Sequence, residues 1–178
     1  MVIWAFDRVL RLGRLIWNRR GSPATIKLLG SDTIRVTMRR KMTWKAGQHA
    51  YVIMPSVSGL PSEAHPFTIA SIPGPLDGTE TPAERDVVFL IRGRSGFTQR
   101  LRERASQDGN GHVAAFIDGP YGSPPNLKQF TTCILVAGGA GVSYTLPLLQ
   151  DLVRNARSET SQCRRVVFVW CVRDEGVY

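Results

Sequence analysis

The stretch Thr131–Leu149, TTCILVAGGAGVSYTLPLL, constrains the fold of this chain most. Cys133–Ala137 is a short apolar run, the pattern of a parallel strand covered on both faces. Gly138, Gly139 and Gly141 follow at once. A turn there needs residues that accept positive φ and let another group approach the backbone. Val142 then opens a helical pattern through Leu146, Leu149, Leu152 and Val153. Strand, glycine turn and helix N-terminus together form an anion site, because N–H groups without helical partners point outward and the dipole favours negative charge. Gly139-Ala140-Gly141 supplies the first two glycines of a G-x-G-x-x-G dinucleotide fingerprint, but Tyr144 stands at the third position. On this stretch alone, a phosphate turn and a plain strand–helix connection both stay open.

The rest of the chain sets the context. At 178 residues it suits one large domain or two small ones, and 43% hydrophobic with 21% charged residues is a globular balance. The net charge of +9 is compatible with an anionic membrane, a phosphate-rich ligand, nucleic acid or a plain basic surface. No aromatic–basic nucleic-acid module accompanies it, so no nucleic-acid partner is expected. Cys133, Cys163 and Cys171 are odd in number and widely spaced, which fits neither a disulfide framework nor a zinc site and suggests a reducing compartment. His49, His65 and His112 are scattered, and no metal site is expected.

Residues 1–20, MVIWAFDRVLRLGRLIWNRR, place Val2, Phe6, Val9, Leu12 and Ile16 on one helical face. Five arginines against one aspartate interrupt the segment, so it lacks the roughly 20 apolar residues that span a bilayer. It reads as an amphipathic helix, either lying on a cytosolic membrane surface or packed on its own domain.

From Ala24 to about Asp118 the period switches to two. Ile34, Val36 and Met38 alternate with Thr33, Arg35, Thr37 and Arg39. Strand-like runs also occur at Ala24–Leu29, Ala50–Met54, Phe67–Ala70, Val87–Ile91 and Val113–Ile117. Six short strands with turn signals between them predict an antiparallel barrel or sandwich. Pro73–Glu84 is polar and reads as a loop. One short helix over Gln99–Ala105 interrupts the strands, with Ser95 or Thr98 able to cap it and Arg92 and Arg94 just before. That is a second candidate anion site. Past the helix at Val142–Ala156, Arg165–Val172 reads as another apolar strand, and the chain stops soon after. One strand–helix–strand unit is short of a doubly wound sheet, so the α/β part reads as truncated.

These residues carry a resemblance. His65-Pro66-Phe67-Thr68-Ile69-Ala70-Ser71 resembles the FAD motif of the ferric reductase and NADPH oxidase superfamily. Trp44–Pro55 is similar to the strand before it, with Ala46 where proline is usual. Arg92 and Gly96-Phe97-Thr98 resemble the segment that holds the FAD pyrophosphate. Asp118-Gly119-Pro120-Tyr121-Gly122 resembles the domain junction. Gly138–Pro147 resembles the NADPH turn in the form usual in fungal ferric reductases, Trp170–Asp174 the end of the second nucleotide-domain strand, and Trp4–Arg14 the link from the last membrane helix.

The resemblance implies a ferredoxin-reductase-like fold of β plus α/β class: an antiparallel six-stranded FAD-binding β-barrel, then a truncated Rossmann-like NADP-binding domain. The implied boundaries are a membrane-proximal helix over residues 1–20, the barrel over 21–128 and the start of the NADPH domain over 129–178. It implies FAD near His65, Pro66, Phe67, Thr68, Ser71, Arg92, Gly96, Phe97 and Thr98. NADPH falls near Gly139, Gly141, Val142, Ser143 and Arg173, with Pro120, Tyr121 and Gly122 at the junction. Arg173 ends the second strand, where an arginine favours the 2′-phosphate of NADPH, although Asp174 follows it. The resemblance implies haem in a transmembrane part outside this chain. The implied activity is electron transfer from NADPH through FAD to haem and Fe(III) chelates at the cytosolic face of a membrane. An oxidase reducing O₂ and a non-catalytic FAD-binding module are the alternatives.

Overall fold

The structure, a computed structural model, describes residues 22–73, 84–108 and 110–172. The helix expected over 1–20, most of the Pro73–Glu84 loop and Arg173 lie outside the described residues.

Alternation of apolar and polar residues produces six antiparallel strands: β1 (Ser22–Leu29), β2 (Thr33–Lys41), β3 (His49–Ile53), β4 (His65–Thr68), β5 (Glu84–Arg92) and β6 (Asn110–Tyr121). They form one sheet in the order β4-β3-β6-β1-β2-β5. Every pairing is antiparallel, and in the long strands one face is covered while the other is more open. In β2 the covered residues are Ile34, Val36 and Met38; in β5 they are Val87, Phe89 and Ile91, and the two triplets pair directly.

The sheet curls until its two edges meet. The Ala70 amide, just past β4, donates to the Val88 carbonyl of β5 at 2.7 Å. Ser71 Oγ accepts from the Val88 amide at 3.2 Å and donates to the Asp86 carbonyl at 3.1 Å. The choice between barrel and sandwich resolves in favour of the barrel. Helix α1 (Gly96–Asp108) plugs it with Phe97, Leu101 and Ala105, one side chain per turn on a single face.

The α/β part is β7 (Thr132–Gly138), a turn over Gly139–Gly141, α2 (Val142–Arg157) and β8 (Arg165–Cys171), which pairs parallel to β7. Leu148 and Leu152 of α2 pack on Cys133 and Leu135. The buried thiols Cys133 and Cys163 lie side by side at 3.7 Å, and burial pushes the Cys133 thiol up. β7 departs from the expectation of a strand covered on both faces: Ile134 is 67% exposed and Val136 62%. The reason is geometric. Among the described residues α2 covers one face of the two-stranded sheet, and the side chains facing the other way have only solvent. No helix among the described residues is long and apolar enough to cross a membrane.

Phe89 is fully buried at the centre of the barrel. Phe89→Ala is expected to cost about 3–5 kcal/mol of unfolding free energy, measured by denaturant titration, through lost transfer energy plus a cavity. A cost below about 1 kcal/mol would contradict the packing described.

Candidate cofactor-binding site

Barrel closure sets β4 beside the start of α1. The His65 ring stacks on Phe97 with centroids 4.0 Å apart and planes 16° apart, and Phe67 lies 6.2 Å from Phe97. Phe97 is itself core, so it supports the corner rather than facing outward. Pro66 is exposed and Thr68 half-buried on the same short strand. Ile69 is fully buried. Ser71, expected near the flavin, has its hydroxyl engaged in the closure seam, and its carbonyl accepts the Trp44 indole N–H at 2.8 Å. The structure gives Ser71 a structural part.

Between β5 and α1 the chain turns through Gly93–Ser95. Thr98 Oγ1 accepts from the amides of Arg94 at 3.1 Å and Ser95 at 3.3 Å and donates to the Ser95 carbonyl at 3.0 Å. Thr98 therefore builds the cap and shapes the loop. Gly96 takes φ +56°, and a Cβ there would meet no neighbour within 4 Å. That conformation is open to glycine and strained for other residues.

Arg92 ends β5. Its Nε and Nη2 both reach Asp32 Oδ2, at 2.8 Å and 2.6 Å. Asp32 Oδ1 accepts from Thr33 Oγ1 at 3.1 Å, and the Asp32 carbonyl accepts the Gly93 amide at 2.7 Å. The Arg92 guanidinium donating to it holds the Asp32 carboxyl below its ordinary value, against the opposing effect of burial. On its other side, Arg92 Nη1 lies 3.8 Å from where a Cβ on Gly139 would stand. Arg92 thus joins the end of the barrel to the glycine turn.

That turn takes Gly139 at φ +50° and runs into α2. Ser143 Oγ donates to the Ala140 carbonyl at 2.9 Å, and the Val142 amide bonds back to the turn. The Trp170 indole at the end of β8 donates to the Gly139 carbonyl at 3.0 Å. Beside it, Tyr144 packs on the barrel: its Cε2 is 3.0 Å from where a Cβ on Gly47 would stand, with Pro124 Cβ at 3.1 Å and Leu148 Cδ2 at 3.3 Å. Gly47 also has φ +88°, so both crowding and conformation require glycine there.

Tyr121 ends β6, and Gly122 follows it. Tyr121 Oη donates to Asp118 Oδ1 at 2.8 Å, and its ring meets Tyr51 edge-on. Gln48 Nε2 donates to the Gly122 carbonyl at 2.9 Å, while the Gln48 carbonyl accepts the Ile69 amide. Gln48 so ties the junction after Pro120 to β4. Sequence reasoning passed over Asp32, and it quoted Gly47, Gln48 and Trp170 only as parts of the Trp44–Pro55 and Trp170–Asp174 motifs, without a role for any of them. Each acts through a partner distant in the chain, and only a Gly-Ser-Asp turn and a glycine before a strand were visible locally.

The residues fit phosphate-bearing dinucleotides on three observations. Thr145 Oγ1, in the first turn of α2, is buried without a hydrogen bond; His65 Nε2, at the β4–α1 corner, makes none either, with the Glu63 carboxylate 3.6 Å away. Cβ atoms on Gly96, Gly138 and Gly141 would each meet open space. Neither α1 nor α2 carries an acidic residue in its first turn, which leaves the positive end of each dipole uncompensated. A groove of about 1220 Å³ along the C-terminal half of α2, lined by Trp44, Ile72, Leu152 and Arg154, holds none of these residues.

A closed antiparallel barrel followed by strand, glycine turn, helix and parallel strand is the ferredoxin-reductase-like arrangement of flavin-dependent dehydrogenases. Residues 18–125 match the family of the FAD-binding domain, and residues 130–178 match the ferric reductase NAD binding domain. The chain belongs to the ferric reductase and NADPH oxidase superfamily. It is 30% identical to ferric/cupric reductase transmembrane component 2 of Schizosaccharomyces pombe, over 97% of this chain and 37% of that protein. It is also 30% identical to the probable cell surface ferric reductase kap2 of Aspergillus oryzae, over 97% of this chain and 24% of that protein. The chain thus spans about a quarter to two fifths of the length of these relatives. Its fold is similar to that of the CS-b5R domains of human Ncb5or, with a TM-score of 0.61 at 20% identity over 85% of this chain and 42% of that one.

The Asp32–Arg92 pair has a pH signature. Because the native carboxyl titrates below its ordinary 3.8, the pair stabilises the fold in full above that value and loses its contribution as pH falls through the lowered one. The stability difference between the wild-type chain and Asp32→Asn is therefore expected to be largest near pH 6 and to shrink below about pH 4, measured by denaturant titration at each pH. A difference that does not change with pH would contradict an ionised pair.

Proposed function

We propose that this chain is the cytosolic electron-entry part of a membrane ferric-chelate reductase. The observation that carries the reading is the seating of Tyr144, in the first turn of α2, on Gly47 of the barrel, which sets the nucleotide turn beside the FAD-motif strand. When bound together, NADPH and FAD supply hydride transfer and its division into single electrons.

The chain's own residues then bind and orient. The first-turn amides of α1, from Gly96 through Thr98, would hold the FAD pyrophosphate, and His65, Pro66, Phe67 and Thr68 would flank the flavin. Gly139, Gly141, Val142 and Ser143 would hold the NADPH pyrophosphate, with Arg173 toward the 2′-phosphate. Pro120, Tyr121 and Gly122 line the junction. No side chain needs to move a proton, since the transferred group is a hydride. A haem-bearing transmembrane domain would take the electrons onward to an Fe(III) chelate, with the basic segment 1–20 along the membrane surface.

One observation favours a second reading, an FAD-binding module without turnover. The face of β7 carrying Ile134 and Val136 is uncovered among the described residues, so the nucleotide part is thinner than a doubly wound sheet.

An absorbance spectrum of the purified chain with added FAD, then anaerobic NADPH, separates the readings. A bound-flavin spectrum that bleaches is expected. Flavin binding without bleaching would support the module, and no flavin binding in a folded chain would overturn both. Arg173→Ala is expected to narrow the preference for NADPH over NADH by about tenfold, read from the two KM values, through loss of a charge-assisted bond. An unchanged ratio would remove Arg173 from the 2′-phosphate.

A further inference from the structure

A turn rich in glycine does not by itself hold one orientation of its peptides, because glycine takes positive and negative φ about equally well. At Gly139–Gly141 two carbonyls are nonetheless tied by side chains. The Trp170 indole N–H donates to the Gly139 carbonyl at 3.0 Å, and Ser143 Oγ donates to the Ala140 carbonyl at 2.9 Å. The Val142 amide bonds back to the same two carbonyls. Trp170 reaches the turn because parallel pairing sets it opposite Ala137. Strand alternation puts it on the face of Val166 and Phe168, which pack against the cluster of Leu148 and Leu152. Its ring is 52% exposed, so the bond from its N–H is its specific contact with the turn. The Gly139–Ala140 peptide is planar and trans, which puts its C=O and its N–H on opposite sides. Anchoring the carbonyl on Trp170 therefore turns the Ala140 amide away from that ring. This amide precedes the first closing bond of the 3₁₀ turn and has no partner within it. Ala140 is exposed, and Cβ atoms on Gly138 and Gly141 would meet no neighbour within 4 Å.

We propose that Trp170 is a positioning residue of the nucleotide turn: its indole N–H holds the Gly139 carbonyl so that the Ala140 amide stays turned outward, as a donor to the pyrophosphate of the nicotinamide dinucleotide. This rests on the reading of that turn as the NADPH site. Gly139 stands at φ +50° and has negative φ open to it as well, so without the indole its peptide with Ala140 is freer to rotate as a unit. Rotation would carry the amide inward and present a carbonyl oxygen to the phosphate, and that oxygen repels an anion. The indole is a donor only. It holds the carbonyl and gives no bond to the reversed peptide, which would turn its own N–H toward the ring. The orientation is thus set on folding and not at ligand binding.

The test measures two affinities on the full chain: FAD by flavin fluorescence, and NADP⁺ on the FAD-loaded protein by calorimetry. Trp170→Phe keeps a ring and removes the donor. It is expected to weaken NADP⁺ by about fivefold, the scale of one neutral hydrogen bond, and to leave FAD within about twofold and the melting temperature within about 4 °C. In the ¹⁵N-labelled wild type, NADP⁺ shifts the Ala140 amide resonance. In Trp170→Phe, compared at equal saturation, that shift falls by about half or more, because the amide no longer keeps one direction. A tryptophan with a purely structural part would lower the melting temperature and the FAD affinity together and leave the Ala140 shift intact. Unchanged NADP⁺ affinity in Trp170→Phe overturns the proposal, as does an undiminished Ala140 shift, or FAD affinity falling in step with NADP⁺. A wild-type chain that takes FAD and no NADP⁺ overturns both the proposal and the functional reading beneath it. A wild type that binds both, beside an unaffected Trp170→Phe, overturns the proposal alone.

Discussion

Closure of the barrel between β4 and β5 is the constraint on which the site depends. These strands are the two edges of a six-stranded sheet, and open edges would leave rows of unpaired N–H and C=O groups. The seam is short: one bond from the Ala70 amide to the Val88 carbonyl and the two-way clip of the Ser71 hydroxyl on β5. The Trp44 indole pins the same point from a third segment through the Ser71 carbonyl. Once the edges meet, His65 and Phe67 come against Phe97 at the start of α1, and the end of β5 comes against the loop that Thr98 caps. The residues of the flavin motif are thus arranged by a seam of backbone bonds and one serine hydroxyl.

How much of this was legible in the sequence follows from how far each interaction reaches along the chain. Alternation in β2 and β5 and the glycine turn before α2 are local patterns, visible in runs of five to nine residues. The two covered faces expected of β7 were not, because coverage depends on what packs against a strand and not on the strand's own letters. Ser71 and Thr98 illustrate the limit at single residues. Both lie in motifs that resemble cofactor-binding segments, and both have hydroxyls engaged with backbone in the structure. A hydroxyl that shapes the loop and one that touches a ligand have the same letter. Asp32 is the reverse case: an ordinary turn residue by sequence, it pairs with a residue 60 positions away because β2 and β5 are neighbours.

Tyr144 shows a departure from a motif compensated elsewhere. The third glycine of the dinucleotide fingerprint permits close packing of the helix on its surroundings. Here an aromatic ring occupies that place, and the close approach is made possible by Gly47 on the barrel, whose missing Cβ leaves room for the Tyr144 edge. The glycine has in effect moved to the other partner of the contact. The same contact fixes the nucleotide turn on the barrel, so the substitution that weakens the fingerprint strengthens the join between the two parts.

Charge at the site works by direction more than by amount. An excess of nine positive charges draws phosphate-bearing ligands toward the molecule, but at physiological salt that field fades within about 8 Å. Selection then falls to charges held in place. Asp32 pairs with the Arg92 guanidinium and offsets part of its charge. The pair also has an entropic side: an unrestrained arginine carries about 2 kcal/mol of rotamer freedom. By gripping one edge, Asp32 removes that freedom during folding, and the guanidinium in turn holds the Asp32 carboxyl below its ordinary value. The first turns of α1 and α2 add positive potential nearby, and neither turn carries an acidic residue.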